Sequence, residues 1–416
     1  MKILAYLPRF NRIPKFKSSM KPIKKNRLLS LLLPFLLAPA LQGETRTVNL
    51  PKPSASATET AIPNTDQALV QVALLLDTSG SMNGLIDQAR YQLWNVVSEL
   101  SKAERDGRPT SLEIAVYQYG SRLLPKKDGF LRQLIGFTDN LDDVSAALFS
   151  LTTNGSDEYC GQVIGAAVNE LEWSKRKDVY KVAFIAGNES FDQGPVTFGS
   201  LLTSISERDI ILNTIFCGNK EKGDAQWRSA AQLIGGSFTK IDHNHHLPNM
   251  ETPQDEKMRE LNRRMNETFV WFGEGAQEAA NNQAKQDANA QKMSDHAYAA
   301  RMSAKVGHLY HHVHHDLVDA LAHGTVDMST LPENKMPPML VNMAPEERMS
   351  FIAEKTRERK MVRRLMADVI TQRHRFLETN MKADPTKAAD GTHVLGSALV
   401  ETIRKQAARR GYTFAQ

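Results

Sequence analysis

The apolar residues between positions 68 and 241 fall into short, nearly continuous runs that alternate with segments of helical period. The run ALVQVALLLD, at residues 68–77, is typical of a strand that is buried on both faces of a sheet. Residues 86–100 then carry apolar side chains at steps of three and four, which predicts an amphipathic helix. Strands that alternate with helices in this way indicate a mostly parallel sheet with helices on both faces.

The alternation continues along the next 140 or so residues. Further strands are predicted at LEIAVYQYG, FLRQLIGF, YKVAFIAG, IILNTIFCG and SFTKID. Helices are predicted at NLDDVSAALFSL, around Cys160–Trp173, at TFGSLLTSISERD and at AQWRSAAQLIGG. Asn140 is a suitable N-cap for the first of these helices, and FLRQLIGF is short enough for an edge strand. We therefore expect a doubly wound, mostly parallel α/β domain at residues 68–247.

From residue 248 onwards the pattern is helical to the end of the chain. Residues 345–382 predict one long, charged helix with an apolar stripe. The stripe includes Val362, Leu365, Met366, Val369, Ile370, Phe376 and Leu377. The terminal segment ALVETIRKQAARRGYTF predicts another helix. Residues 248–416 are accordingly expected to form a mainly α-helical C-terminal region.

The first residues have the pattern of an export signal. Several lysines and Arg27 precede the apolar run LLSLLLPFLLAPAL at residues 28–41, which suits a signal peptide and is short for a membrane span. We expect a signal peptide at residues 1–43, with Met20 as an alternative start, and a flexible linker rich in Pro, Ser and Thr at residues 44–67. The predicted location is periplasmic or secreted, without a transmembrane segment after cleavage; an uncleaved membrane anchor is the alternative.

The formal net charge of +5 belongs to this leader. Its 43 residues contain nine Lys or Arg and no Asp or Glu, so the rest of the chain has a net charge of −4. Phosphate backbones are bound mainly by clustered cations. The charge distribution therefore disfavours a nucleic-acid partner.

The segment DTSGSM, residues 77–82, places hydroxyl and carboxylate oxygens at the end of the first predicted strand. Ligands of parallel α/β sheets bind beyond the carboxyl ends of the strands. A turn there brings the side chains of Asp77, Ser79 and Ser81 to one side, where hard oxygens suit Mg²⁺, with Mn²⁺ or Ca²⁺ as alternatives. The other interpretation is that these side chains only cap the following helix and satisfy the backbone of the turn.

LLLDTSGSM followed by this α/β series resembles a von Willebrand factor type A (vWA) domain with a metal-ion-dependent adhesion site. The closing segment AAQLIGGSFTKI is similar to the end of that domain. The resemblance implies that Asp77, Ser79 and Ser81 are ligands from the first loop. It also implies that the metal keeps an open position for a carboxylate of a protein or peptide partner.

The other two loops depart from the family pattern. The family takes a threonine from its second loop, where this chain offers Thr153 or, in another alignment, Glu158 beside Asp157. The family takes an aspartate from its third loop, where this chain has Gly187, followed by Asn188 and Glu189. One interpretation is an exchange, in which the second loop supplies the carboxylate that the third has lost. The segments SDEYCG and IAGNESFDQGP resemble those of a group of exported bacterial vWA proteins with such an altered site.

Cys160 and Cys217 are the two cysteines of the chain. In an oxidising compartment two cysteines are more often paired than free, although two buried thiols are the alternative. With the strand order of the vWA family, both would lie near the rim that carries Asp77. A disulfide between them would then clamp the second loop.

The segment GHLYHHVHHDLVDALAHG holds six of the twelve histidines. On a helix, His308, His311, His312 and His315 would share one face at a spacing that suits joint metal ligation. A polar or partly packed helix face is the simpler interpretation. No Glu stands inside these pairs as in H-E-x-x-H, so a zincin-type hydrolase is not supported.

No nucleophile with a nearby base emerges from the sequence, so we do not expect an enzyme. The main hypothesis is an exported, non-catalytic binding protein whose vWA domain recognises a protein partner. The alternatives are an assembly or chaperone-like partner of an AAA+ ATPase and a histidine-rich metal-handling protein. The sequence leaves the oligomeric state open.

Overall fold

The structure is a computed structural model of the 416-residue chain, and it describes residues 67–155, 157–218, 223–242, 250–383 and 395–415. The expected signal peptide and nearly all of the expected linker lie outside the described residues. In the part that is described, no helix is long and apolar enough to cross a membrane.

One sheet organises the described chain. Its strands are β1 (Ala68–Asp77), β2 (Ala103–Arg105), β3 (Arg108–Tyr119), β4 (Leu131–Thr138), β5 (Tyr180–Gly187), β6 (Ile210–Cys217), β7 (Phe238–Ile241) and β8 (Tyr412–Phe414). The strand order is β7-β6-β5-β1-β3-β2-β8, and β4 pairs with β3. The central pairs β1–β3, β1–β5, β5–β6 and β6–β7 are parallel, whereas β2, β4 and β8 join in antiparallel pairs. The mostly parallel sheet expected from the sequence is confirmed.

Helices cover the sheet and continue beyond it. They are α1 (Asn83–Leu100), α2 (Leu141–Phe149), α3 (Cys160–Glu170), α4 (Leu202–Glu207), α5 (Ala225–Leu233), α6 (Asp255–Asn266), α7 (Ala276–Met293), α8 (Asp295–Val306), α9 (Leu317–Ala322), α10 (Pro338–Val341), α11 (Pro345–Ala383) and α12 (Leu395–Arg409). The Asn140 side chain accepts a hydrogen bond from the Asp142 amide at 3.2 Å and caps α2 as predicted. The segment expected to form one helix at TFGSLLTSISERD begins with a 3₁₀ turn at Phe198–Leu201.

Two apolar cores lie on opposite faces of the sheet. One is formed by β-strand side chains with α3, α4 and α5, and includes Ile164 and Trp227. The other lies on the α1 face and continues without interruption into the C-terminal helices, where Met302 and Val362 are fully buried. The helical region thus shares a core with the α/β domain and packs directly on it. The shared core explains why Trp94 of α1 is fully buried. It lies on the side of α1 that contacts α8, and the Arg301 guanidinium is 4.7 Å from the centre of the Trp94 ring.

The end of the chain returns to the sheet. The predicted terminal helix is present as α12, but it ends at Arg409, and residues 412–414 pair with β2 instead of continuing the helix. Gly411 has φ of 84°, a left-handed conformation that glycine adopts without strain and that reverses the chain here. The Gln406 side chain accepts a hydrogen bond from Tyr180 and donates one to Asn213. These bonds fix α12 on the sheet.

The long helix predicted at residues 345–382 is confirmed as α11, with one correction to its stripe. Val362 and Met366 are fully buried, whereas Leu365 remains 39% exposed. The reason is geometric: Leu365 directly precedes Met366 and so lies about 100° around the helix from it, beside the buried row of Arg359, Val362, Met366 and Arg373. Buried arginines complete the packing, and Arg359 bonds to both Asp316 and Asp319.

Candidate metal centre

Three parallel strands end together at one rim of the sheet. Asp77, the last residue of β1, is paired in register with Tyr119 at the end of β3. Leu76 is paired with Ala186, so Gly187 at the end of β5 lies beside Asp77. The loops that follow these strands meet where ligands of parallel sheets bind.

The first loop turns tightly after Asp77. The Asp77 side chain is fully buried and accepts a hydrogen bond from the Ser79 amide at 2.7 Å. The Met82 amide bonds to the Ser79 carbonyl at 3.1 Å and leads into α1. Ser79 is buried, whereas Ser81 is exposed at the mouth of the loop.

Three buried oxygens at this rim have no hydrogen-bond partner within the described part of the chain. They are Asp77 Oδ2, Ser79 Oγ and Asn188 Oδ1. The Asn188 amide group also donates to Ser81 Oγ at 3.1 Å, which joins the third loop to the first. Buried polar atoms are rarely left unpaired, so an unpaired set suggests a ligand. Hard oxygens of this kind suit Mg²⁺, Mn²⁺ or Ca²⁺.

Glu158 is the residue of the second loop that lies beside Asp77. A Cβ atom added to Gly120 would lie 2.8 Å from Asp77 Oδ1 and 2.9 Å from Glu158 Cγ, so the two acids flank this glycine. Glu158 is 8% exposed. The other two candidates have different partners: the Thr153 hydroxyl donates to Asn83 Oδ1, and the exposed Asp157 accepts a hydrogen bond from Tyr159 at 3.2 Å.

The third loop cannot hold an aspartate at its first position. A Cβ atom added to Gly187 would lie 2.4 Å from the Tyr119 hydroxyl and 3.2 Å from Asp77 Cβ. Tyr119 is fully buried and donates its hydroxyl to the Ala186 carbonyl at 3.0 Å. Tyr119 was not predicted as a site residue, because its only signal in the sequence is its place at the end of the strand beside β1. Its hydroxyl occupies the space that a side chain at position 187 needs.

Burial and neighbouring negative charges raise the pKa of both Asp77 and Glu158. Burial, opposed by the hydrogen bond from the Ser79 amide and reinforced by the charge of Glu189, raises the pKa of Asp77 to about 7. Burial, together with the charges of Asp77 and Glu189, raises the pKa of Glu158 to about 8. Like charges in a desolvated site disfavour the ionised forms, and a bound cation would remove that penalty.

The donor set combines different kinds of oxygen. Among the described residues, no group of three or more His, Cys, Asp or Glu side chains is arranged to hold a metal ion. A cation at this rim would therefore rely on Ser79 and Asn188 as well as on Asp77 and Glu158. Such a set fits a hard divalent cation bound partly by neutral oxygens and water.

Both cysteines are free and buried, so the expected disulfide is not present in this structure. Cys160 packs in the core on the α3 face, whereas Cys217 packs in the core on the α1 face. The sheet separates the two thiols, which is the physical reason that they do not pair. Cys160 Sγ lies 3.9 Å from the Tyr119 hydroxyl, and burial raises the pKa of both thiols.

The expected histidine face is corrected by the structure. Helix α8 ends at Val306, and residues 307–316 form turns, so the four histidines do not share a helix face. His308 Nε2 lies 2.9 Å from the Thr110 carbonyl, and His312 Nε2 lies 3.3 Å from Asp142 Oδ2. His311 packs against His323, and His315 lies near Gly275. Glycine at position 307, a weak helix former, ends the helix that the histidine spacing required.

Residues 71–229 match the family model of the von Willebrand factor type A domain. A search of curated protein sequences gives no match. Among solved structures, the chain is similar to proximal thread matrix protein 1 from the mussel byssus with a zinc-occupied MIDAS motif, at 17% identity and a TM-score of 0.34. That alignment covers 43% of this chain and 43% of the mussel protein, less than half of each.

Two further solved structures show similar coverage of this chain. The SpRpn10 VWA domain aligns at 14% identity and a TM-score of 0.31, over 42% of this chain and 88% of that one. The pilus adhesin SpaC from Lactobacillus rhamnosus GG, in its open conformation, aligns at 13% identity and a TM-score of 0.30, over 42% of this chain and 28% of the adhesin.

Proposed function

We propose that this chain, which carries a von Willebrand factor type A domain at residues 71–229, is an exported, non-catalytic binding protein that recognises a protein partner through the DTSGSM rim. Domains of this type commonly mediate binding between proteins. The recognition would use a divalent cation, held by the chain on one side and by a carboxylate of the partner on the other.

The observation that carries the proposal is the set of unpaired buried oxygens at one rim. Asp77 Oδ2 and Ser79 Oγ would be primary ligands, with Asn188 Oδ1 reaching in from the third loop. Glu158 would supply the second negative charge from the second loop. When bound, the cation would supply a positive charge that attracts and orients a carboxylate, and the chain's own residues would set its position.

The first experiment measures Mg²⁺ and Mn²⁺ binding to the full chain by isothermal titration calorimetry. Asp77→Ala removes the central carboxylate, so we expect its affinity for either ion to fall at least tenfold without unfolding of the protein. The matched control is Asp368→Ala, an exposed acid on α11, which should bind as the wild type does. Equal affinities in wild type and Asp77→Ala would leave Asp77 with a structural role in its turn alone.

The second experiment tests partner recognition with a defined array of ten-residue peptides. Each peptide contains one aspartate, and the residues on either side of it vary between Leu, Phe, Ser and Lys. We expect carboxylate-dependent binding in MgCl₂ that is lost in EDTA and in Asp77→Ala. Binding that ignores both the aspartate and the metal would contradict a metal-bridged mode of recognition.

Export is part of the proposal and has its own test. Fractionation of cells that express the untagged full chain should place the protein outside the cytoplasm. A full-length cytoplasmic protein would contradict this part of the proposal. The alternative of metal handling by a histidine helix loses its basis, because residues 307–316 are not helical.

A further inference from the structure

The loop between β3 and β4 presents an apolar side chain to solvent. We name residues 121–129 the Leu123 loop. Leu123 is 70% exposed, more than any other large apolar side chain in the described ranges. Single exposed apolar side chains are common on protein surfaces. The exposure of Leu123 therefore indicates a binding surface only together with the rigidity and the position of the loop.

Hydrogen bonds hold the Leu123 loop in one shape. The Leu123 amide donates to Ser121 Oγ at 3.3 Å, and the Leu124 amide donates to the Ser121 carbonyl at 3.0 Å. The amides of Asp128 and Phe130 both bond to the Pro125 carbonyl. The loop therefore holds Leu123 outward in a fixed conformation, and a partner that covers it would lose little entropy in ordering it.

The loop is joined directly to the candidate metal centre. The Arg122 amide donates to the Asn154 carbonyl at 3.2 Å, and the Asn154 amide donates to the Thr78 carbonyl at 2.9 Å. Ser121 also forms a bridge with Gly155, the residue that approaches Gly80 of the first loop. Leu123 thus lies at the edge of the rim that carries Asp77.

The charge of the loop is opposite to that of the centre. Arg122, Lys126 and Lys127 are exposed on the loop, with Asp128 as its single acid. The centre beside it contains Asp77 and Glu158. Exposed cations next to the site attract and orient an acidic segment before it docks.

We propose that the Leu123 loop is the specificity surface of the rim, and that it selects an extended acidic peptide segment with an apolar side chain near its metal-binding carboxylate. The apolar side chain covers Leu123, and further acids of the segment face Arg122 and the two lysines. This inference rests on the proposed function, because the carboxylate is anchored at the metal centre.

The test uses the peptide array in MgCl₂ with the full chain and Leu123→Ser. In wild type, we expect peptides with Leu or Phe beside the aspartate to bind at least fivefold more tightly than those with Ser or Lys. Leu123→Ser should lose that preference and keep both its Mg²⁺ affinity and its dependence on the aspartate. For peptides that carry additional glutamates beyond the central aspartate, raising NaCl from 0.05 to about 0.5 M should weaken binding more than for peptides without them.

The matched control is Leu233→Ser. Leu233 is 64% exposed at the end of α5, near Gly236, which packs on the Leu212 carbonyl at the opposite rim of the sheet. This variant should keep the apolar preference. The role proposed for the Leu123 loop, and nothing else, would be contradicted by either of two results. One is an unchanged apolar preference in Leu123→Ser, and the other is a loss of that preference in Leu233→Ser as well. If the wild type showed no carboxylate-dependent peptide binding at all, the proposed function itself would be contradicted.

Discussion

Tyr119 and Gly187 share one small space at the ends of β3 and β5. The tyrosine hydroxyl lies where a side chain at position 187 would start, and it is held by the Ala186 carbonyl. The acid that lies beside Asp77 comes instead from Glu158 on the second loop. At the residue scale the altered rim is therefore a consistent arrangement, in which the Tyr119 hydroxyl excludes an aspartate from position 187.

Gly187→Asp tests this exclusion. The new Cβ would lie 2.4 Å from the Tyr119 hydroxyl, and a second carboxylate would lie beside Asp77, so we expect a loss of about 2–4 kcal/mol in the free energy of unfolding. Adding Tyr119→Phe removes the hydroxyl and should recover part of that loss. Urea denaturation measures both effects.

Gly199→Asp is the matched control for this pair. A Cβ atom there meets nothing within 4 Å, and the residue is exposed, so its stability should change by less than about 0.5 kcal/mol. If Gly187→Asp were as stable as Gly199→Asp, the Tyr119 hydroxyl would not be what excludes an aspartate.

At the scale of elements, α12 contributes to the core despite its distance in sequence from the strands that it covers. Leu395, Leu399 and Ile403 line a small apolar cavity of about 20 Å³ together with side chains of β1 and α1. Gln406, one turn further on, bonds to Asn213 in β6. The last helix of the chain thus closes one face of the sheet.

Leu399→Ala measures how strongly α12 is packed. Leu399 is 4% exposed and borders an existing cavity, so the truncation should lower the free energy of unfolding by about 2–4 kcal/mol. Leu365→Ala on α11 removes the same atoms from a half-exposed position and should cost less than about 1 kcal/mol. Similar losses in the two variants would mean that α12 does not bury its apolar face on the sheet.

Periodicity predicted the elements best for the central strands, which are buried on both faces, and for the helices that pack one face on the sheet. The runs at β1, β5 and β6 and the helical steps of α1 were read correctly, because their side chains pack on the sheet as the pattern requires. The pattern failed at residues 307–316, where histidine spacing suggested a helix but tertiary contacts to Thr110 and Asp142 hold the chain in turns. It also missed β8, since three residues are too few to show a period.

The candidate site was predicted in part for a similar reason. Asp77 follows a buried strand, so its place at the rim can be read from the pattern. The choice between Thr153 and Glu158 depends on how the second loop crosses Gly120, and no local signal encodes that path. The role of Tyr119 likewise depends on strand register, which is a property of the folded sheet.

At the scale of the whole molecule, a buried ionic network joins the α/β domain to the helical region. Arg301 of α8 bonds to Asp142 of α2 at 2.7 Å and to Asp287 of α7 at 2.6 Å, and Lys305 lies 3.0 Å from Asp287. All four side chains are nearly inaccessible to solvent. Removing one partner from such a network leaves an uncompensated buried charge, which typically costs about 3–5 kcal/mol.

This network makes the stability of the protein sensitive to acid. Burial alone would raise the pKa of the two carboxyls, but Arg301 beside Asp142, and Lys305 with Arg301 beside Asp287, lower them instead, to about 2 for Asp287. A carboxyl whose pKa is lowered by folding stabilises the protein above its unfolded pKa and loses that contribution as the pH falls. For Asp287 the loss should amount to roughly 2 kcal/mol between about pH 4 and pH 2.

Asp287→Asn tests this linkage through the slope of stability against pH. The variant should be less stable than wild type at pH 6, because Lys305 and Arg301 lose a charged partner, and its stability should fall less steeply below pH 4, because one titrating group is gone. Urea denaturation at pH 6, 4 and 3 gives both quantities, with Asp368→Asn on the exposed face of α11 as the control that keeps the wild-type slope. Parallel curves for wild type and Asp287→Asn would mean that Asp287 does not couple folding to acid.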